Sequence, residues 1–316
     1  MANDNLTTFG GLQGGATPNL VPKPIATEIL KRAEEESVVK KLSGQTAMPL
    51  TGSAIAVQTG HIQAGVVGEG EAKPVGKTSY ATKSIKPIKV AAIAVVSTEL
   101  VRTNPAGIWD NIQGDVSSAI ARAFDLAVLY GKSAKTGAAI AGVEYVNQTT
   151  KRVELGTATK ANGGLSSDLI AGYNLVVEGS QVHNGFTGFA ADPQFRGQLL
   201  SAVDLQGRPI YQQTVDLKAG LDNVLGLPTA YGRAVSSRVG SIADSKVRAF
   251  GGDWGALKYG FAQDITVSLS NQATVVDGAD TYHLWQQNMV AVLAEATFGW
   301  IISDKDSFVA YDDAVA

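Results

Sequence analysis

Hydrophobic positions change their period along this chain, and the changes divide it into segments. In NPAGIWDNIQGDVSSAIARAFDLAVLYG, residues 104–131, Ile108, Ile112, Val116, Ile120 and Phe124 recur every four residues and mark one apolar face of a helix. Asn104 is its expected cap, Pro105 suits the first turn and Gly131 ends it. At about 1.5 Å per residue this helix reaches roughly 40 Å, long enough to be the spine of a lobe. An earlier segment, PIATEILKRAEEESVVKKLSG, predicts a helix from Pro24, with Ile25, Ile29, Ala33 and Leu42 on one side and Gly44 as its stop.

Between Met48 and Val96 the period falls to two, β-branched residues abound, and a Gly/Glu/Lys/Pro tip occupies 65–77. This predicts one two-stranded ribbon with arms of about 15–20 residues, some 50–65 Å long. An isolated ribbon of that kind is at best marginally stable in water, so neighbouring subunits are its natural support. From about residue 165 short helices and strands alternate. SSDLIAGYNLVVEG is a predicted helix and GFTGFAA a strand. DPQFRGQLLSAVD is a second helix, capped by Asp192, with Phe195, Leu199 and Val203 facing inward. DLQGRPIY and GLPTAYGRAV read as turn-and-strand units, so 165–265 forms a compact α+β lobe. GFAQDITVSLS and NMVAVLAEATFGWIIS are strand-rich and are expected to return to the first lobe.

Composition narrows the function classes. The 316 residues carry 26 basic and 29 acidic side chains, a net charge of −3 that argues against a generally cationic nucleic-acid binder. Absence of cysteine excludes disulfides, thiolate metal sites and a cysteine nucleophile. No run of about 18 apolar residues predicts a membrane-spanning helix, and the Gly-, Asn- and Thr-rich start, closed by Pro22 and Pro24, reads as an extended arm rather than a signal peptide. Charged residues are only 17% of the chain and glycines number 35, a thin surface charge that suits a protein covered by partners.

Candidate chemistry is sparse. GEGEAKPVGKTSY, residues 68–80, ends in Gly-Lys-Thr like a phosphate-binding loop, but five residues rather than four separate Gly70 from Gly76. Pro74 has no N–H to offer a phosphate, and the segment after Thr78 reads as strand rather than helix. His61, His183 and His283 lack metal-ligand spacing, and Glu69/Glu71 and Asp312/Asp313 read as solvated pairs. Trp109, Trp254, Trp285 and Trp300 are scattered packing residues, not a stacking platform. No cofactor is expected, and a sugar or nucleotide enzyme of α+β type stays a weak alternative.

The order of arm, short helix, ribbon, spine helix, α+β lobe and closing strands resembles the tailed-bacteriophage major capsid proteins with the Hong Kong 97-like fold. EGEAKP at 69–74 carries the resemblance, with Ser97, Glu99 and Leu100 before the spine helix. So do ADPQFRGQLLSAVDLQGRPIY, GLPTAYG and QNMVAVLAE with the later FGWIISDKDSFVAY. The resemblance implies an α+β shell subunit: an arm at 1–23, a peripheral domain from 24–47 and 97–164 with the spine helix, and an extended loop at 48–96. An axial domain at 165–265 and strands at 266–316 returning to the peripheral domain complete it. It further implies assembly as hexamers and pentamers into a virion shell enclosing double-stranded DNA without sequence-specific contacts or a membrane. Portal, maturation or decoration proteins would be partners, and assembly would occur in the host cytoplasm. Because Met1 stands almost directly at the arm, either scaffolding is a separate protein or the sequence is close to the mature form. The runner-up is an encapsulin-like nanocompartment; such shells tend to begin with a helix, whereas residues 1–22 look extended.

Some members of that family cross-link their subunits. By resemblance Lys73, before Pro74, takes the lysine position, Asn288 the asparagine position and Glu295 that of the assisting glutamate. Glu69, Gly70, Glu71 and Pro74 become subunit-contact residues. Val290, Val292 and Leu293 would give Glu295 apolar surroundings. Asn288 and Glu295 stand seven residues apart on one expected strand, about 23 Å, so a single chain cannot bring both to one lysine.

Overall fold

The computed structural model describes residues 37–60, 62, 64–99, 108–179, 185–211, 221–240, 242–278 and 280–314. The expected arm, most of the first helix, and the Asn104 and Pro105 cap lie outside those residues. In chain order the strands are β1 (Gly44–Gln45), β2 (Ser53–Gly60), β3 (Ser79–Ile85), β4 (Ile88–Ser97), β5 (Arg152–Leu155), β6 (Gly188–Ala191) and β7 (Leu221–Val224). The later ones are β8 (Leu227–Tyr231), β9 (Val247–Gly252), β10 (Leu257–Ser270), β11 (Thr274–Asp277), β12 (Asp280–His283), β13 (Met289–Ile302) and β14 (Phe308–Asp313). Helices span Val38–Leu42, Ile108–Tyr130, Leu165–Gly179 and Pro193–Ser201. The chain divides into two compact units, one from the described residues of 1–37, 87–124 and 261–298, the other from 38–86, 125–260 and 299–316.

In the first unit β4 and β13 pair antiparallel without interruption from Met289↔Ser97 to Phe298↔Ile88. Alternation along both strands gives the pair two faces. Ala94 and Val96 join Val290, Val292, Ala294 and Ala296 against Ile112, Val116, Ile120 and Ala121 of the spine helix, with Ile265 and Val267 of β10. Alanines on the sheet side let the helix approach closely. Phe124 closes this core edge-on against Phe298, ring centres 4.9 Å apart. The hairpin β11–β12 turns at Gly278 (φ 62) and sends Val275 and Tyr282 onto Leu284, Met289 and Ala291.

The second unit is built on a six-stranded sheet in the order β5-β14-β9-β6-β8-β7. Helix Leu165–Gly179 packs over β5, β14 and β9, and the Tyr311 hydroxyl of β14 donates to the Leu169 carbonyl at 3.0 Å. Asp192 caps helix Pro193–Ser201 by accepting from the Gln194 N–H at 2.8 Å, and Phe195 and Leu199 are fully buried. Val203, expected beside them, lies beyond the helix end at Ser201 and bridges to Pro209. Gly131 does end the spine helix, in a left-handed conformation (φ 63) with its N–H on the Ala127 carbonyl.

Two expected boundaries move. Residues 125–164 and 299–316 group with the six-stranded sheet, because β5 and β14 are two of its strands. The cause is legible in β14: Phe308, Val309, Ala310 and Tyr311 are all fully buried, so the strand needs cover on both faces and a neighbour on each edge. It finds β5 in parallel and β9 antiparallel. The ribbon is also shorter at its base than 48–96. Ser53↔Ile85 is its first pair, and the chain then passes Lys86 and Pro87 into β4, which belongs to the other sheet. Pro87 has no N–H for a ladder and separates the two pairings.

Candidate functional site

Hydrogen-bonded pairing of β2 and β3 runs to Gln58↔Tyr80 and slips by one residue at Gly60↔Ser79. Strand, not helix, comes after the Gly-Lys-Thr at 76–78, so the stretch is no phosphate loop. Beyond the ladder the two segments stay opposed. The Thr78 hydroxyl donates to the Gly60 carbonyl at 3.1 Å, Gly76 lies against Ile62, and Gly65 faces Pro74. At the tip the Glu71 N–H donates to the Gly68 carbonyl at 3.2 Å, and the Glu71 carboxylate accepts from the Gly68 N–H at 3.1 Å. Gly70 (φ 85) provides the left-handed corner. The paired strands hold 8 and 7 residues, about 25 Å at ~3.3 Å per residue, shorter than the arms of about 15–20 residues expected from the sequence.

The tip exposes what a lone subunit has no reason to expose. Val66 and Val75 are 107% and 88% accessible, and Ile62 is exposed with them. Glu69, Gly70, Glu71, Lys73 and Pro74 are all exposed, and the Glu71 carboxylate is engaged within its own turn. Its root is held by a group that sequence reasoning missed. The Lys83 ammonium donates to the Glu144 carboxylate and the Ile302 carbonyl, both at 2.8 Å. The Trp300 indole N–H donates to the Glu144 carbonyl at 2.7 Å, and Ile85 is buried beside them. Lys83 and Glu144 carry no pattern of their own in the sequence; a salt bridge between residues 61 positions apart is visible only in three dimensions. The cleft there, lined by Lys83, Lys86, Glu144 and Trp300, measures about 200 Å³, below the usual range of small-molecule sites.

Asn288 and Glu295 lie in the first unit, Lys73 in the second. Asn288 ends the turn after β12 in the left-handed region (φ 53), and its carbonyl accepts from the Thr98 N–H at 3.0 Å. Its side chain is exposed. Unbroken register from Met289 to Phe298 keeps β13 regular, so Glu295 lies about 20 Å along the strand from Met289, the residue after Asn288. The expected surroundings of Glu295 need correction. Val290 and Val292 face the spine-helix core, and Glu295 lies on the opposite face with Leu293, across from Ala91. There it pairs with Lys89 at 2.7 Å, the carboxylate 27% exposed. Nothing in the sequence marks the register of Lys89 with Glu295 before the strands are paired. Among the described residues no group of three or more acidic or histidine side chains is placed to hold a metal ion.

Comparison with known proteins gives the same outline. Residues 18–313 match the family model described as Phage capsid family. A probable major capsid protein, gp17, of Mycobacterium phage L5 is 30% identical over 294 residues, spanning 90% of this chain and 86% of its own. Its namesake from Mycobacterium phage D29 is 28% identical over 296 residues, 92% and 89% of the two chains. A solved structure from Gordonia phage Cozz superposes with a TM-score of 0.74 at 29% identity, covering 96% of this chain and 89% of that one.

Proposed function

The chain belongs to the phage capsid family, and from that premise we propose how its copies are joined: as rings of five and six closing into an icosahedral shell, each ribbon gripping a neighbour. It is a major capsid protein with the Hong Kong 97-like fold, self-assembling into the virion shell. The observation that carries the proposed arrangement is the ribbon. A two-stranded ladder that ends at Gly60↔Ser79 and carries a further loop tipped with exposed Val66 and Val75 is at best marginally stable by itself. On this reading Glu69, Gly70, Glu71 and Pro74 contact the neighbouring copy, 165–265 meets at ring centres, and DNA is enclosed without sequence-specific binding. Scaffolding, portal and maturation or decoration proteins complete assembly in the host cytoplasm. The nanocompartment alternative finds no support among the relatives, which are phage proteins. Negative-stain electron microscopy of the protein, alone and with a scaffold candidate, tests it: closed shells, tubes or rings are expected, and a dispersed monomer under every condition refutes it.

Covalent joining is the finer part of the proposal. The Lys73 amine of one copy attacks the Asn288 carboxamide carbon of another. The C–N bond to the amide nitrogen breaks, ammonia leaves, and an isopeptide bond remains. Glu295 of a further copy accepts the attacking amine's proton and passes it to the departing nitrogen. Exposure of Lys73 and Asn288, and the distance from Asn288 to Glu295 within one chain, both favour a site assembled between copies. Asn288→Gly is the cleanest test, since glycine keeps the left-handed turn without the carboxamide. Mature particles boiled in detergent should give ladders that vanish in Asn288→Gly while particles still form. A single-chain band in the parent, or unchanged ladders in the variant, ends the idea.

A further inference from the structure

Helix Leu165–Gly179 carries more apolar surface than its own sheet covers. Leu169 and Val176 are buried, whereas Ile170, Tyr173, Leu175 and Val177 remain 48%, 43%, 38% and 38% exposed, with the Tyr173 ring tilted against Phe186 at 5.6 Å. Ile170, Tyr173 and Val177 fall at i, i+3 and i+7, the spacing of a narrow seam that meets one apolar partner. The helix covers the β5–β14 side of the six-stranded sheet.

The opposite edge is the β7–β8 hairpin, closed by Leu225 and Gly226 between the paired Val224 and Leu227. Both turn residues have positive φ, 53° and 80°. Such turns favour Asn, Asp or Gly, and a side chain like leucine holds the left-handed conformation at a steric cost. Leu225 is also 46% exposed, so burial within the subunit offsets that cost only in part. A local preference broken with only partial return among the described residues points to a contact outside the chain.

We propose that Leu225 of one copy seats on the Ile170–Tyr173–Val177 seam of the next copy in a ring. Because the two features lie at opposite edges of one sheet, the contact is head-to-tail, and rotation-related copies close it into a ring. The inference rests on the ring assembly proposed above and adds which surfaces meet.

The chain has no cysteine, so introduced thiols are unambiguous. In a Lys73→Ala background, which removes any isopeptide ladder, Leu225→Cys is combined in turn with Ile170→Cys, Tyr173→Cys or Val177→Cys. Assembled particles are oxidised and dissolved in detergent. At least one pairing should give a ladder ending at five or six chains that collapses on reduction, while Leu225→Cys alone gives single chains. Normal particles with no ladder in any pairing overturn the contact. Failure of the parent chain to form rings or shells refutes the ring assembly itself, and this contact with it. As a second readout, Leu225→Asn should melt no lower than the parent yet fail to form rings; normal assembly of that variant also overturns the proposal.

Discussion

Removing the Asp192 carboxylate should separate what a helix cap contributes from what a charge contributes. The side chain is fully buried and accepts from the Gln194 N–H at 2.8 Å, the Ser236 hydroxyl at 2.5 Å, and the Arg238 guanidinium at 2.7 and 2.9 Å. Loss of the cap in Asp192→Ala costs about 1 kcal/mol. Arg238 is 34% exposed, so its pair is worth about 1–2 kcal/mol rather than the ~3–5 kcal/mol of a wholly buried one. Ser236 keeps an acceptor in the Arg233 carbonyl at 3.2 Å and adds little. Together Asp192→Ala should lose about 2–3 kcal/mol. Asp192→Asn keeps a capping oxygen and loses only the charge pair, about 1–2 kcal/mol. At about 3 °C per kcal/mol, calorimetry of unassembled subunits at neutral pH should show drops of roughly 6–9 °C and 3–6 °C. An alanine variant within about 3 °C of the parent refutes the sum. An asparagine variant as damaged as the alanine one refutes the partition, because the cap would then contribute nothing.

Gly131→Ala should destabilise by about 2 kcal/mol or more, seen as a lower urea midpoint. The residue is left-handed (φ 63), and an added Cβ would lie 2.5 Å from the Tyr145 ring. For Asp244, burial opposes ionisation, but the Lys246 N–H at 2.7 Å and the Arg248 guanidinium outweigh it and hold the carboxyl below its usual value. A depressed folded value stabilises at pH above the ordinary carboxylate range and is lost as pH falls through that folded value. Asp244→Asn should therefore melt lower at neutral pH and decline less steeply on acidification; parallel melting curves for parent and variant across the acid range would contradict this.

Helices were the legible part of the fold. Ile112, Val116, Ile120 and Phe124 carry a period that only a helix satisfies, and Asp192-Pro193 and Gly131 punctuate by backbone chemistry that acts locally. Strand partners were less legible, because period two says that a segment is a strand and not which strand it meets. FVAYDD is expected from its place in the chain to return to the first lobe, although its apolar run demands a central position that only the six-stranded sheet offers. The ribbon's base is overextended in the sequence reading for a related reason: β3 and β4 both read as strand, and their different partners, with Pro87 between them, show only once the strands are paired. The Lys83–Glu144 and Lys89–Glu295 pairs depend wholly on such pairing, and neither has a local signal.

Two residues share one backbone conformation and carry opposite information. Asn288 and Leu225 both have φ of 53°. Asparagine is enriched in the left-handed region, so the turn before β13 explains Asn288 without any further role, and its conformation adds nothing to the case for cross-linking. That case rests on exposure, spacing and the carboxamide itself, which is why replacement by glycine is the discriminating change. Leucine has no such local excuse at a hairpin tip, and water does not favour it there either. In a shell subunit the surfaces that matter are the ones a lone chain leaves unexplained. By that standard the hairpin tip at Leu225 is a stronger pointer to an interface than any of the charged residues of the ribbon turn, whose exposure and solvation are ordinary.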